Sequence, residues 1–281
     1  MIIETVQNPI QGLTSAKRLL YKHVDRKTAL FLSGGSTPKQ LYVSLAQEEK
    51  LNPGAVALVD ERYGPPFHSN SNESMIKETG LIDYLTSQKI PFYGILQGSH
   101  RHSGKRSASR ISMVQRDSGQ AVRRPELTAE WARMTLENVA EDYDKKVKQL
   151  LSHFSKHIAI LGIGEDGHIA GLPAKYQIST HSTSSGLMLS EVEASNLKSQ
   201  KYVTEIRDFP GELKQRITLT FKALSQMDLL IVLVFGSEKQ SALNLMLTLG
   251  LEEEIPSRFF KRPDIAKKTI LITDQKVYNN Y

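Results

Sequence analysis

Histidine is the side chain best suited to moving protons near neutral pH, and His168 stands where one could be put to work. The run Leu161-Gly162-Ile163-Gly164-Glu165-Asp166-Gly167-His168-Ile169-Ala170-Gly171 crowds four glycines, two acids and one imidazole into a single loop. Asp166 is close enough to hold the imidazole tautomer, as an acid orients a catalytic histidine, and the glycines let a substrate approach the backbone. A metal site would need further ligands, and no second histidine stands at ligand spacing. His23, His153 and His157 fall in helical patterns or at a strand start, and read as structural or solvated.

Three other segments carry groups of the right type. Ser33-Gly34-Gly35-Ser36-Thr37-Pro38 combines glycines that expose backbone N–H groups with hydroxyl donors and a helix start, which together form an anion cradle. The spacing matches neither a Walker loop nor a dinucleotide fingerprint. Its plainer reading is a tight strand-to-helix turn capped by Thr37. Asp60-Glu61-Arg62, followed by Pro65-Pro66 and Ser69-Asn70-Ser71-Asn72, offers a carboxylate base, a carboxylate orienter and a guanidinium for a phosphate or an oxyanion. The same cluster also reads as a surface ion pair beside a proline turn. Arg216, opening Arg216-Ile217-Thr218-Leu219-Thr220, and Lys239, in Gly236-Ser237-Glu238-Lys239, are either phosphate ligands or surface cations.

The elements that must position these groups are legible as short apolar runs. Thr28 to Leu32, Ala55 to Val59, Pro91 to Leu96, Ile158 to Ile163, Leu229 to Phe235 and Thr269 to Thr273 read as buried strands. Leu136, Val139, Ala140, Tyr143, Val147, Leu150, Leu151 and Phe154 share one face of a helix. Near-continuous apolar strands alternating with helices predict an α/β fold, a mostly parallel sheet with helices on both faces. Ligands of such sheets bind beyond the carboxyl ends of the strands, and the segments above follow strands or open the next element. Residues 1–281 are read as a single domain with two surface insertions. Residues 98–133 form a basic, disordered insertion, and residues 181–198 a polar one with a helix-compatible patch from Leu187 to Ala194.

The 281 residues carry a net charge of +6. That excess resides between Gly98 and Pro125, within the first insertion, where Arg101, Lys105, Arg106, Arg110, Arg116, Arg123 and Arg124 face the single acid Asp117. The basicity belongs to that segment and not to the fold, so a nucleic-acid partner is not expected. There are no cysteines, which excludes disulfides and thiolate chemistry and accords with a reducing compartment. The start Met1-Ile2-Ile3-Glu4-Thr5 shows no signal-peptide pattern, and the apolar runs fall far short of the ~20 residues of a membrane span. A cytoplasmic protein is the expectation.

In order along the chain, the Ser33–Pro38 turn, Asp60-Glu61-Arg62 with Pro66 and Ser71-Asn72, Gly162–His168, Arg216–Thr220 and Gly236–Lys239 resemble the 6-phosphogluconolactonase and glucosamine-6-phosphate isomerase superfamily. The resemblance implies a modified Rossmann-like fold, no cofactor and no metal, and a small sugar phosphate as partner. It implies that Gly34, Gly35, Ser36 and Thr37, with Arg216 and Lys239, hold the phosphate, that Asp60 and Glu61 contact substrate, and that His168 lies by the reactive carbon. The isomerase branch resembles Phe-Asn-Glu-Pro-Gly where this chain has Gly171-Leu172-Pro173-Ala174, and Asp-Glu-Tyr where it has Asp60-Glu61-Arg62. Both differences point to hydrolysis of 6-phosphogluconolactone, with His168 as general base, Asp166 as its orienter, and Arg62 or the Gly34 backbone at the oxyanion. A glucosamine-6-phosphate deaminase/isomerase and a non-catalytic sugar-phosphate binder of the same fold are the alternatives.

Overall fold

Runs of aliphatic residues without a polar break become the strands of one central sheet. The computed structural model describes residues 1–96, 134–174 and 201–277. Strand β1 (Ile2–Thr5) leads into helix α1 (Pro9–His23), whose start is set by Asn8 accepting from the Gln11 N–H and by Pro9 at the first helical position. Then come β2 (Thr28–Leu32), α2 (Ser36–Glu48), β3 (Ala55–Leu58), β4 (Asp60–Arg62), α3 (Asn72–Glu78), α4 (Leu81–Ser87) and β5 (Phe92–Tyr93). After the first stretch left undescribed follow α5 (Leu136–His153) and β6 (Lys156–Gly162). The last part holds β7 (Val203–Ile206), β8 (Arg216–Leu219), α6 (Phe221–Leu224), β9 (Leu229–Val234), α7 (Gln240–Leu247), α8 (Pro263–Ala266) and β10 (Thr269–Thr273), with 3₁₀ turns at Ser237–Lys239 and Pro256–Lys261.

Seven strands form the main sheet in the order β1-β10-β9-β6-β2-β3-β5, every pairing parallel. Each residue of β2 and β3 is buried, so both faces of the sheet are covered. The expected α/β architecture is thus the observed one. Helix α5 buries Leu136, Val139, Ala140, Tyr143, Val147 and Leu150, the face that the spacing predicts. Tyr143 ties this helix to the sheet, its hydroxyl accepting from the Leu58 N–H at 2.8 Å and donating to the Leu58 carbonyl at 2.6 Å.

Two features differ from the sequence reading. The strand expected over Pro91 to Leu96 is only Phe92–Tyr93, paired with Val56 and Ala57 at the sheet edge. Beyond it the chain leaves the ladder, and the Leu96 N–H donates to Glu73 Oε1 at 2.7 Å instead. Asp60-Glu61-Arg62, expected at the end of the preceding strand, is a strand of its own, β4, which joins β8 and β7 in a separate antiparallel sheet. The two expected insertions, residues 98–133 and 181–198, lie outside the described residues.

Candidate active site

The antiparallel sheet decides which charges face the ligand. Side chains alternate along a strand, so Asp60 and Arg62 share one face of β4 and Glu61 takes the other. Asp60 pairs with Thr218, Glu61 with Ile217, and Arg62 with Arg216. Asp60, Arg62 and Arg216 line a cavity of about 510 Å³, a size suited to a small metabolite. The residues of the Ser33–Pro38 turn line it as well, as do Gly164, Glu165, Asp166, His168 and Lys239. Of the residues expected at the site, Glu61 alone does not line it.

Glu61 is fully buried and works beneath the site. Its carboxyl accepts from the N–H groups of Arg62 and Asn72 at 2.7 Å each and Glu73 at 2.8 Å, which fixes the start of α3 against β4. Substrate contact by Glu61 is therefore corrected to a scaffold role, because the strand parity turns it inward. Burial and the nearby Glu73 carboxylate push its pKa from 4.5 up to about 8, against the pull of the three N–H donors. The folded chain thus keeps a proton that the unfolded chain releases above pH 4.5. This contribution to stability is full below that pH and drains as pH rises toward 8, by at most about 1.4 kcal/mol per pH unit. Glu61→Gln, which mimics the protonated acid, is expected to gain thermal midpoint relative to wild type from pH 5 to pH 8. A pH-independent difference between the two melting curves would mean that Glu61 is ionised in the fold.

The turn after β2 presents donors to the cavity. Helix α2 begins at Ser36, and Gly35 precedes it with a φ of 107° and no side-chain cap. Its first N–H groups are therefore open to an anion. Gly34 is required by close approach, since a Cβ there would fall 1.8 Å from Asn72 Oδ1. Asn72 bridges the site, its Oδ1 accepting from Arg62 Nη1 at 2.8 Å and its Nδ2 donating to the Asp60 carbonyl at 2.8 Å. Ser33 lines the cavity too, and its buried Oγ has no hydrogen-bond partner among the described residues.

The loop after β6 holds the proton-handling pair. His168 Nδ1 meets Asp166 Oδ1 at 2.5 Å, and the His168 N–H donates to the same oxygen at 3.1 Å. Burial pushes the Asp166 carboxyl up, but the hydrogen bond and charge of His168 outweigh it and hold the carboxyl below its usual value. An ionised Asp166 makes Nδ1 the protonated nitrogen of a neutral imidazole, which leaves Nε2 with the lone pair. The loop closes on itself through Gly164 N–H to the His168 carbonyl at 2.9 Å and Gly167 N–H to the Gly164 carbonyl at 2.9 Å. A Cβ on Gly164 would lie 2.0 Å from the imidazole. Gly164→Ala is expected to displace His168 and lower kcat by about 10²-fold, the cost of roughly 1 Å of misplacement, with little change in thermal midpoint. Steady-state rates and a melting curve check this.

Arg62, Arg216 and Lys239 form no ion pair among the described residues. Arg62 and Arg216 stand directly opposite across two strands, an arrangement that repels unless an anion joins it. Burial lowers the Arg216 pKa, with Asp60 raising it and Arg62 lowering it further. Its guanidinium lies 4.2 Å over the ring of Phe209. Among the described residues, no three His, Asp or Glu side chains cluster as metal ligands.

Sequence reasoning missed Phe209, Pro210 and Gly211, which line the cavity from the β7–β8 connection, and it gave Asn72 no role of its own. The only signal for the first group was an aromatic-Pro-Gly run just ahead of the strand that bears Arg216.

A cavity at the carboxyl edge of a parallel sheet, with unpaired cations, an open helix start and a carboxylate–histidine pair, defines an α/β protein built for a small anionic ligand. The chain belongs to the family of glucosamine-6-phosphate isomerases and 6-phosphogluconolactonase, whose model matches residues 13–270. It is 25% identical over 240 residues to a 6-phosphogluconolactonase of Rhizobium meliloti, an alignment covering 83% of this chain and 79% of that one. The crystal structure of the Thermotoga maritima 6-phosphogluconolactonase superposes with a TM-score of 0.60 at 21% identity, covering 97% of this chain and 98% of the other. A monomeric glucosamine-6-phosphate deaminase matches with the same TM-score, at 18% identity and 97% coverage of both chains. The fold is common to both activities, so the distinction rests on the site.

Proposed function

We propose that this chain hydrolyses 6-phosphogluconolactone to 6-phosphogluconate. The observation that carries the reading is the pair of guanidiniums, Arg62 opposite Arg216, which form no ion pair among the described residues and share a cavity with His168 on its Asp166 partner. The phosphate dianion and the oxyanion of the tetrahedral intermediate give the two guanidiniums anionic partners in direct contact. The phosphate lies among Gly34–Thr37, Arg216 and Lys239, which orients the lactone for attack. His168 Nε2 takes a proton from water as the water oxygen bonds to the lactone carbonyl carbon, with Arg62 at the resulting oxyanion. When the intermediate collapses, the bond to the ring oxygen breaks and the imidazolium returns its proton there. Hydrolysis consumes one water and needs no cofactor.

Against sugar isomerisation stands the segment after His168. Gly171-Leu172-Pro173-Ala174 holds no acid, and Leu172 and Ala174 are fully buried, so no carboxylate enters the cavity from there. No helix among the described residues is long and apolar enough to cross a membrane. The test sets acid release from freshly generated lactone against ammonia release from glucosamine 6-phosphate. A lactone rate well above the spontaneous one, with no ammonia, is expected. Ammonia release would establish the deaminase instead, and binding without turnover would leave a sugar-phosphate binder.

A further inference from the structure

Phe209 contributes no polar atom to the cavity, yet it touches both halves of the chemistry. It is almost fully buried on the β7–β8 connection, with its N–H donating to the Lys214 carbonyl at 2.8 Å. One face of its ring carries the Arg216 guanidinium at 4.2 Å. The same ring meets the His168 imidazole at 89°, with centroids 5.2 Å apart. These two partners come from different elements, one from the antiparallel sheet and the other from the loop after β6. Among the described residues Arg216 makes one side-chain hydrogen bond, from Nε to the Leu213 carbonyl at 3.2 Å, and its two terminal nitrogens make none. Asp166 grips His168 at Nδ1, a single point about which a ring can still tilt.

We propose that Phe209 is a positioning residue that sets His168 and Arg216 at a fixed separation, so that phosphate capture and proton transfer share one rigid spacer. The kinetic half of this proposal rests on the hydrolase reading, and the binding half does not. A π face attracts a desolvated guanidinium and keeps it pre-organised for the anion. Perpendicular packing of the ring against the imidazole leaves little room for tilt away from the attacking water. An aliphatic side chain of similar volume fills the space and supplies neither contact.

The experiment compares wild type, Phe209→Leu, Arg216→Met and the double variant, with Phe209→Ala as a more disruptive control. Calorimetric binding of 6-phosphogluconate, kcat for the lactone and the thermal midpoint are read for each. Phe209→Leu is expected to melt close to wild type, to bind 6-phosphogluconate about 5- to 10-fold more weakly, and to lose about 10-fold in kcat. In the Arg216→Met background the same change is expected to leave binding unaltered while still lowering kcat, which separates the two contacts. The proposal is overturned by wild-type binding and turnover in Phe209→Leu. It is equally overturned by losses that merely follow a fall in midpoint, or by an undiminished binding effect when Arg216 is already gone. A wild-type chain that binds 6-phosphogluconate without hydrolysing the lactone would defeat the hydrolase reading, and the dissociation constants would still decide the positioning role.

Discussion

Replacing His168 with alanine is expected to lower kcat for lactone hydrolysis by about 10²–10⁴-fold, the usual worth of a positioned general base, with KM nearly unchanged. The split follows from where the binding groups sit. In the proposed complex Arg216, Lys239 and the start of α2 hold the phosphate end of the substrate, and among the described residues none of them hydrogen-bonds His168. Removing the imidazole therefore takes away a transition-state interaction and leaves ground-state capture in place. Rates must be read against spontaneous opening of the lactone, which limits the largest loss that can be measured. A variant with undiminished kcat would remove His168 from the reaction. A rise in KM alone would make it a binding residue.

Asp166→Asn is expected to cost at least about 10²-fold in kcat, toward the ~10⁴-fold loss seen when an orienting aspartate becomes an amide. Asp166 Oδ1 accepts both the imidazole Nδ1–H and the His168 backbone N–H. An asparagine oxygen in that place preserves the two hydrogen bonds and forfeits the negative charge that offsets the imidazolium. If the amide turns its nitrogen inward instead, the lone pair moves to Nδ1 and Nε2 no longer accepts the proton from water. Both outcomes act on kcat. Burial and geometry keep the loop shape, because Gly164 and Gly167 close it through backbone bonds that do not involve the carboxyl. Steady-state kinetics on Asp166→Asn and on Asp166→Ala check the assignment, and wild-type turnover in the asparagine variant would assign the aspartate to loop structure alone.

The inner strands of the central sheet were legible because they are buried on both faces and so are written as unbroken apolar runs, whereas the half-exposed edge strand β1 was not anticipated. Thr28–Leu32 and Thr269–Thr273 are found at their expected ends. The antiparallel sheet was not legible, since β4 is three charged residues with no hydrophobic alternation to betray a strand. Its consequence for the site was hidden with it. From sequence alone Asp60, Glu61 and Arg62 are equivalent neighbours, and only the pleat separates the cavity-facing pair from the acid that secures α3. The glycine loop and His168 were readable because their chemistry is local. Phe209 was not, for its partners lie 41 residues before it and seven after, and no spacing rule joins an aromatic to a histidine and an arginine at those distances.

The pairing of β4 with β8 makes the electrical character of the cavity a matter of odd and even. Shift one strand past the other by a single residue and every side chain changes sides. Glu61 would then enter the cavity as an acid, Arg62 would be driven into the interior, and a site that draws in anions would repel them. The three N–H donors gathered on the Glu61 carboxyl are what bolts this very short strand in phase. A side chain that never meets the ligand thereby sets the polarity of the place where the ligand binds.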